Sequence, residues 1–426
     1  MPHAIVVGSG AGGATVAREL QGAFDVTVLE AGRAFRPLGM GLSTIERIKR
    51  AGLLLDEREM SLVFRALRVR KTADMVLVNG VGLGGTTTIC TGNAARMDMD
   101  LRALGIDLDD AFTEVYREIP ISTAHRERWR PPTRELFAIC AGMGLDPQPM
   151  PKMGDAARCT GCGRCVLGCP RGAKWDSRRF LADARVRGAR VETGCRVERV
   201  VIEGGRARGV VARRGWRRAF LPADLVVLAA GGLGTPAILE RSGLPCAPRL
   251  FVDPVLCLAT RVEGARQCRE IPMPFVVRRE GYILSPYFDY LSFLFNRSWR
   301  GPARDTLGLM IKLADTPAGR VTRRGVEKTL TPADRERLRG AVAEGREILR
   351  RLGTRDEEIV LGTLNAGHPG GALPLTAREA ETLHHAHLPA NLYVADATLL
   401  PAAQGLPPIL TIVALAKAIA GRIVGC

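Results

Sequence analysis

Lysine is scarce in this chain: of 61 basic residues, seven are Lys and 54 are Arg. Against 44 acidic residues the net charge is +17, with a pI near 9.9. A skew of this kind follows genome base composition as readily as function, so net charge alone selects neither nucleic acid, nor an anionic membrane, nor an acidic protein as partner. Aromatic residues are few, at 5%. Long apolar runs are missing as well. The nearest approach to a membrane span, residues 409–424, is broken by Lys417 and Arg422 and reads as a core helix. No leader peptide is expected, because Pro2 runs almost directly into an apolar strand and a glycine turn. With 46% hydrophobic and 25% charged residues, disorder, collagen and coiled coil are excluded. The 426 residues suffice for about two to three domains. Eleven cysteines, an odd number with four inside eleven positions, fit a reducing cytoplasm and a metal or redox site better than a disulfide framework.

The first thirty residues read as strand, turn, helix and strand. Ala4–Val7 is apolar, Gly8-Ser-Gly-Ala-Gly-Gly13 is the turn, and Val26–Glu30 is the second strand. In this GxGxxG arrangement Gly8 permits the tight turn, Gly10 lets a pyrophosphate approach, and Gly13 lets helix and strand pack closely. The helix N-terminus offers free N–H groups, and Glu30 is placed to accept both ribose hydroxyls of an adenosine. The unit predicts dinucleotide binding without separating FAD from NAD. Residues 72–95 read as an extended ligand-lining loop, and residues 331–353 as a helix with Thr331 as cap and Pro332 in its first turn.

Three further segments carry a family resemblance. Residues 79–93, with Gly84, Gly85, Thr86, Thr87 and Asn93, resemble the flavin-proximal loop of the glucose–methanol–choline (GMC) oxidoreductases. Residues 231–243 are similar to that family's second signature, departing from it at Gly232 and, just beyond, at Pro245. The tail around Asp396, Pro407, Pro408 and Thr411 resembles its C-terminal block. The resemblance implies FAD as cofactor, with Asp396 near the ribityl or pyrophosphate and the last helix aimed at the flavin's pyrimidine end. A positive helix end there favours the anionic reduced flavin. It also implies that His368, in Gly367-His-Pro-Gly-Gly371, is the catalytic base that takes an alcohol's hydroxyl proton. The family's second His or Asn has no counterpart, since Pro407 or Pro408 stands in its place. The implied architecture is α/β. A doubly wound FAD-binding domain is assembled from residues 1–100, 186–245 and 361–426, with a cysteine-rich insertion at 101–185 and a smaller α+β substrate domain at 246–360.

Cys159, Cys162, Cys165 and Cys169 form C-x2-C-x2-C-x3-C-P, the run that bacterial ferredoxins use for [4Fe–4S] clusters. A structural zinc site and a metal-free knuckle remain alternatives. So does a remote fourth ligand in place of Cys169, from Cys90, Cys140, Cys195, Cys246, Cys257 or Cys268. His384, His385 and His387 read as a solvated loop.

Residues 158–218 hold 17 basic against five acidic residues. Their few aromatics argue against nucleic acid, leaving an acidic electron carrier docking beside the cluster or a plain solvated arginine-rich surface. Eight of the 21 aromatic residues fall between Phe275 and Trp299, either as a wall for an apolar or ring-shaped substrate or as strand core. The reading is a cytoplasmic FAD-dependent dehydrogenase of an alcohol, passing electrons through a [4Fe–4S] cluster to an acidic carrier. A carrier-fed reductase of a C=C or C=O bond and a non-enzymatic electron-transfer subunit are the alternatives.

Overall fold

The computed structural model describes residues 1–52, 56–244 and 246–425; Pro245, where the second signature departs from its family pattern, lies outside them. Two sheets organise the chain. The first has five parallel strands in the order 392–394, 225–228, 3–7, 25–30 and 190–193. Its central strands are runs of Val, Ile and Leu, buried on both faces as parallel strands must be. The helix Ala11–Glu19 follows the first strand and packs against the helices Arg178–Val186 and Ile409–Val424. The last helix is apolar nearly all round. Its one buried charge, Lys417, is held by Glu19, Glu114 and Glu118 at 2.8–3.1 Å.

The second sheet has nine strands, with Pro254–Arg261 and Thr306–Leu313 as its antiparallel centre. Strands 67–71 and 76–80 hydrogen-bond into this larger sheet, so the first segment of the chain serves both layers. Residues 72–95 are correspondingly less loop-like than the sequence suggests: a strand over 76–80 is followed by a short 3₁₀ turn over 85–89. The helix Pro332–Arg351 starts with a capping box. Thr331 Oγ1 accepts from Asp334 N, and Asp334 Oδ2 accepts from Thr331 N, both at 3.1 Å.

Five of the eight clustered aromatics, Phe275, Phe288, Tyr290, Phe293 and Trp299, are buried in two hydrophobic clusters. Phe275, Phe293 and Trp299 fill the core, while Phe288 and Tyr290, with Tyr287, also line a small pocket. The basic block divides between two structures. Its first part surrounds the cysteine loop, and its second lies exposed on a separate three-stranded sheet over 195–222. No helix among the described residues is long and apolar enough to cross a membrane.

Candidate active site and cysteine cavity

The glycine turn sits at the C-terminal end of the first strand. A Cβ on Gly8 would stand 2.3 Å from Ala229 O, and one on Gly13 would stand 2.1 Å from Gly8 O, so neither position has space for a side chain. A Cβ on Gly10 would meet nothing within 4 Å, and this open point lies at the N-cap of the following helix. Glu30 ends the neighbouring strand. It accepts from Ser9 Oγ at 2.6 Å and from Gly32 N at 2.7 Å. Burial raises its carboxyl above the usual range, opposed by those donors.

The loop after residue 80 crosses this turn. Gly84 N donates to Ser9 Oγ at 3.1 Å, and a Cβ on Gly85 would approach Gly10 Cα at 3.0 Å. Thr86 Oγ1 accepts from Gly80 N at 3.1 Å, and Thr87 Oγ1 accepts from Ser177 N at 3.0 Å. Asp396 is buried, accepting from Gly231 N at 2.8 Å, Thr235 Oγ1 at 2.6 Å and Thr398 N at 2.8 Å. Thr411 lies in the first turn of the last helix, and its hydroxyl accepts from Met97 N at 3.0 Å. The open point at Gly10, the strand-end acid and a helix N-terminus at Pro408 that no side chain caps together suit a dinucleotide.

His368 stands beside a carboxylate that the sequence reading missed. Its Nδ1 lies 3.5 Å from Asp253 Oδ2, too far for a strong hydrogen bond, and is buried without a hydrogen-bond partner among the described residues. Asp253 Oδ2 takes Lys312 Nζ at 2.8 Å, and Oδ1 takes Gly405 N at 3.0 Å. Burial by itself would raise the Asp253 pKa, but Lys312 and His368 outweigh it and hold the carboxyl below its usual value. Burial and the Lys312 charge hold His368 below the usual histidine value, with Asp253 pulling the other way. A second buried pair, Lys328 and Asp315 at 2.7 Å, adjoins the first, because Asp315 accepts from the backbone N–H groups of Val252 and Asp253.

The four clustered cysteines line one cavity of about 50 Å³, with Lys152, Lys174, His125 and Arg128 also in its wall. Lys174 Nζ donates to the carbonyls of Thr87, Thr88 and Cys90, each at 2.9 Å, and to that of Cys165 at 3.2 Å. Lys152 Nζ donates to Pro272 O at 2.6 Å and to Asn93 Oδ1. Asn93 thus joins the cavity wall to the loop that crosses the glycine turn. Burial pushes the Cys165 thiol up to about 12, against the pull of Lys174 and Lys152. Among the described residues no group of three or more His, Cys, Asp or Glu is arranged to hold a metal ion, so Cys159, Cys162, Cys165 and Cys169 share a cavity wall without forming a metal site as they stand. Cys140, Cys195, Cys246 and Cys257 do not line the cavity. The histidine loop is more structured than expected. His385 is buried, and His384 Nε2 lies within hydrogen-bond reach of the carbonyls of Pro389 and Leu392.

A parallel sheet with a glycine turn and a strand-end acid, and a histidine beside a buried carboxylate elsewhere in the chain, fit a nucleotide-dependent oxidoreductase. Residues 3–256 match the GMC oxidoreductase family, and the chain belongs to that family, which implies FAD. It is 36% identical over 281 residues to an uncharacterized GMC-type oxidoreductase of Mycobacterium tuberculosis, covering 61% of this chain and 42% of that protein. The chain therefore spans less than half the length of this relative. It is 24% identical to a long-chain-alcohol oxidase of Arabidopsis thaliana, across 99% of this chain and 66% of the other. The crystal structure of pyridoxine 4-oxidase from Mesorbium loti shares the fold, with a TM-score of 0.73, 17% identity and 99% of each chain covered.

Proposed function

We propose that this oxidoreductase dehydrogenates an alcohol at FAD and that the electrons leave singly, through a [4Fe–4S] cluster on Cys159, Cys162, Cys165 and Cys169, to an acidic one-electron carrier. The alcohol class is supported by the family and by the name of the Arabidopsis relative. The residues that would hold FAD are Gly8, Gly10 and Gly13 at the pyrophosphate, Glu30 at the ribose, Gly84, Gly85, Thr86, Thr87 and Asn93 along the crossing loop, and Asp396 and Thr411 from the tail. FAD, when bound, supplies the hydride acceptor.

His368 accepts the hydroxyl proton. Its lowered pKa keeps the imidazole neutral, and hence able to accept, at neutral pH. Asp253, on the Nδ1 side, favours the charged ring that results, and Lys312 keeps Asp253 ionised. Oxidation of one alcohol to its carbonyl releases two protons and two electrons, and two molecules of the carrier each take one electron.

The observation that carries the electron route is Lys174, which binds carbonyls of both the crossing loop and the cysteine loop through one ammonium. The carrier's expected landing site is the exposed set Arg126, Arg128, Arg158 and Arg171 around that loop. The test is anaerobic. An alcohol panel should bleach the flavin, and an oxidised ferredoxin-class protein should restore its colour, more slowly at high salt. Bleaching that only oxygen reverses would contradict the one-electron route. A flavin that no alcohol bleaches, but that the reduced carrier does, would reverse the direction.

A further inference from the structure

Five of the seven lysines are buried. Three of these meet carboxylates: Lys312 with Asp253, Lys328 with Asp315, and Lys417 with its three glutamates. Lys152 and Lys174 do not. Among the described residues their ammonium groups meet backbone carbonyls, the Asn93 amide oxygen and, for Lys174, Cys90 Sγ at 3.7 Å. Both line the cavity that the four cysteines enclose. A buried ammonium without a counter-ion is strongly disfavoured: burial pushes Lys152 down to about 7, so it holds its full charge only when an anion sits beside it. Four thiolates around an oxidised [4Fe–4S] core carry a net charge of about −2. A zinc ion on four thiolates has the same charge, so charge does not separate the two, and the metal content measured below does.

We propose that Lys152 and Lys174 balance the charge of the cysteine-bound cluster and raise its reduction potential, so that electrons run from the flavin to the cluster. The inference rests on the cluster reading above. Its physical basis is the sign of the change. One added electron takes the cluster from about −2 to −3, and a fixed positive charge nearby favours the more negative state, most strongly where water is excluded. The same two side chains also set the spacing of the centres. Lys152 binds Asn93, and Lys174 binds Thr87 and Thr88, all on the loop that crosses the glycine turn.

The test is a potentiometric titration of the intact, FAD-loaded protein followed by the electron paramagnetic resonance of the reduced cluster. Lys152→Gln and Lys174→Gln keep a hydrogen-bond donor and remove the charge. Each should lower the cluster midpoint, the double variant further, and slow carrier reduction. Lys152→Arg and Lys174→Arg, which restore the charge, should return the midpoint toward that of the parent. Should a Gln variant not accumulate, the Met variant takes its place with the same expectation. Full iron and sulfide with an unmoved midpoint in the Gln variants would overturn the charge role while leaving the cluster standing. A parent protein with FAD but no iron, or with zinc, would overturn the cluster reading itself. Loss of cluster in the Gln variants and its retention in the Arg variants would support the charge role by a second route.

Discussion

On the histidine side, Lys312 lies 2.8 Å from Asp253 and Lys328 lies 2.7 Å from Asp315. On the cysteine side, Lys152 and Lys174 are nearly as buried, yet their partners are carbonyls, an amide and a thiol. The first arrangement is electrically complete as it stands and serves to hold a base in place. The second has hydrogen-bonding partners but no carboxylate, and under the proposal above an anion in the cavity supplies the missing charge.

The largest effect that would separate the two sides is expected from His368→Asn. Alcohol-driven bleaching of the flavin should fall about 10²- to 10⁴-fold, with flavin, iron and sulfide content unchanged. Retained bleaching would remove His368 from the chemistry. Next is Lys312→Met, which strands the Asp253 carboxylate and should cost roughly 3–5 kcal/mol in denaturant unfolding. The double variant Lys312→Met/Asp253→Asn should recover most of that loss. Lys152→Met in cluster-free protein should cost clearly less, because its ammonium meets no carboxylate and the variant strands only the Pro272 carbonyl and the Asn93 amide oxygen. Equal losses in the two Met variants would erase the distinction between the sides.

The smallest effect expected is on pH dependence. The base must be neutral, so flavin bleaching should rise with pH through an apparent pKa below the ordinary histidine value. Asp253 favours the protonated ring, so Asp253→Asn should move that limb to still lower pH. Movement to higher pH would show that Asp253 does not act on His368.

Local patterns carried most of what the sequence disclosed. The strand–turn–helix over residues 3–19, the Thr331 cap and the cysteine spacing each lie within a short window, where periodicity and turn chemistry are direct signals. The paired lysines were not legible. Asp253 and Lys312 are 59 residues apart and meet only because two antiparallel strands run side by side. Lys152 is likewise joined to Asn93 across 59 residues by a tertiary contact. Burial of five lysines was itself hidden, since a residue type that usually sits at the surface gives no local sign of being inside. The scarcity of lysine was the available hint: in a chain that coats itself with arginine, the few lysines are concentrated in the interior. The aromatic stretch after Phe275 stayed open for a related reason, because composition alone does not distinguish a core strand from a substrate wall.

The central claim, that the cysteine cavity is built for a dianionic iron–sulfur core, is tested most directly by counting metal. Protein isolated without oxygen should contain about four iron and four acid-labile sulfide per chain alongside one FAD. One zinc per chain, or flavin with neither iron nor sulfide, would contradict it.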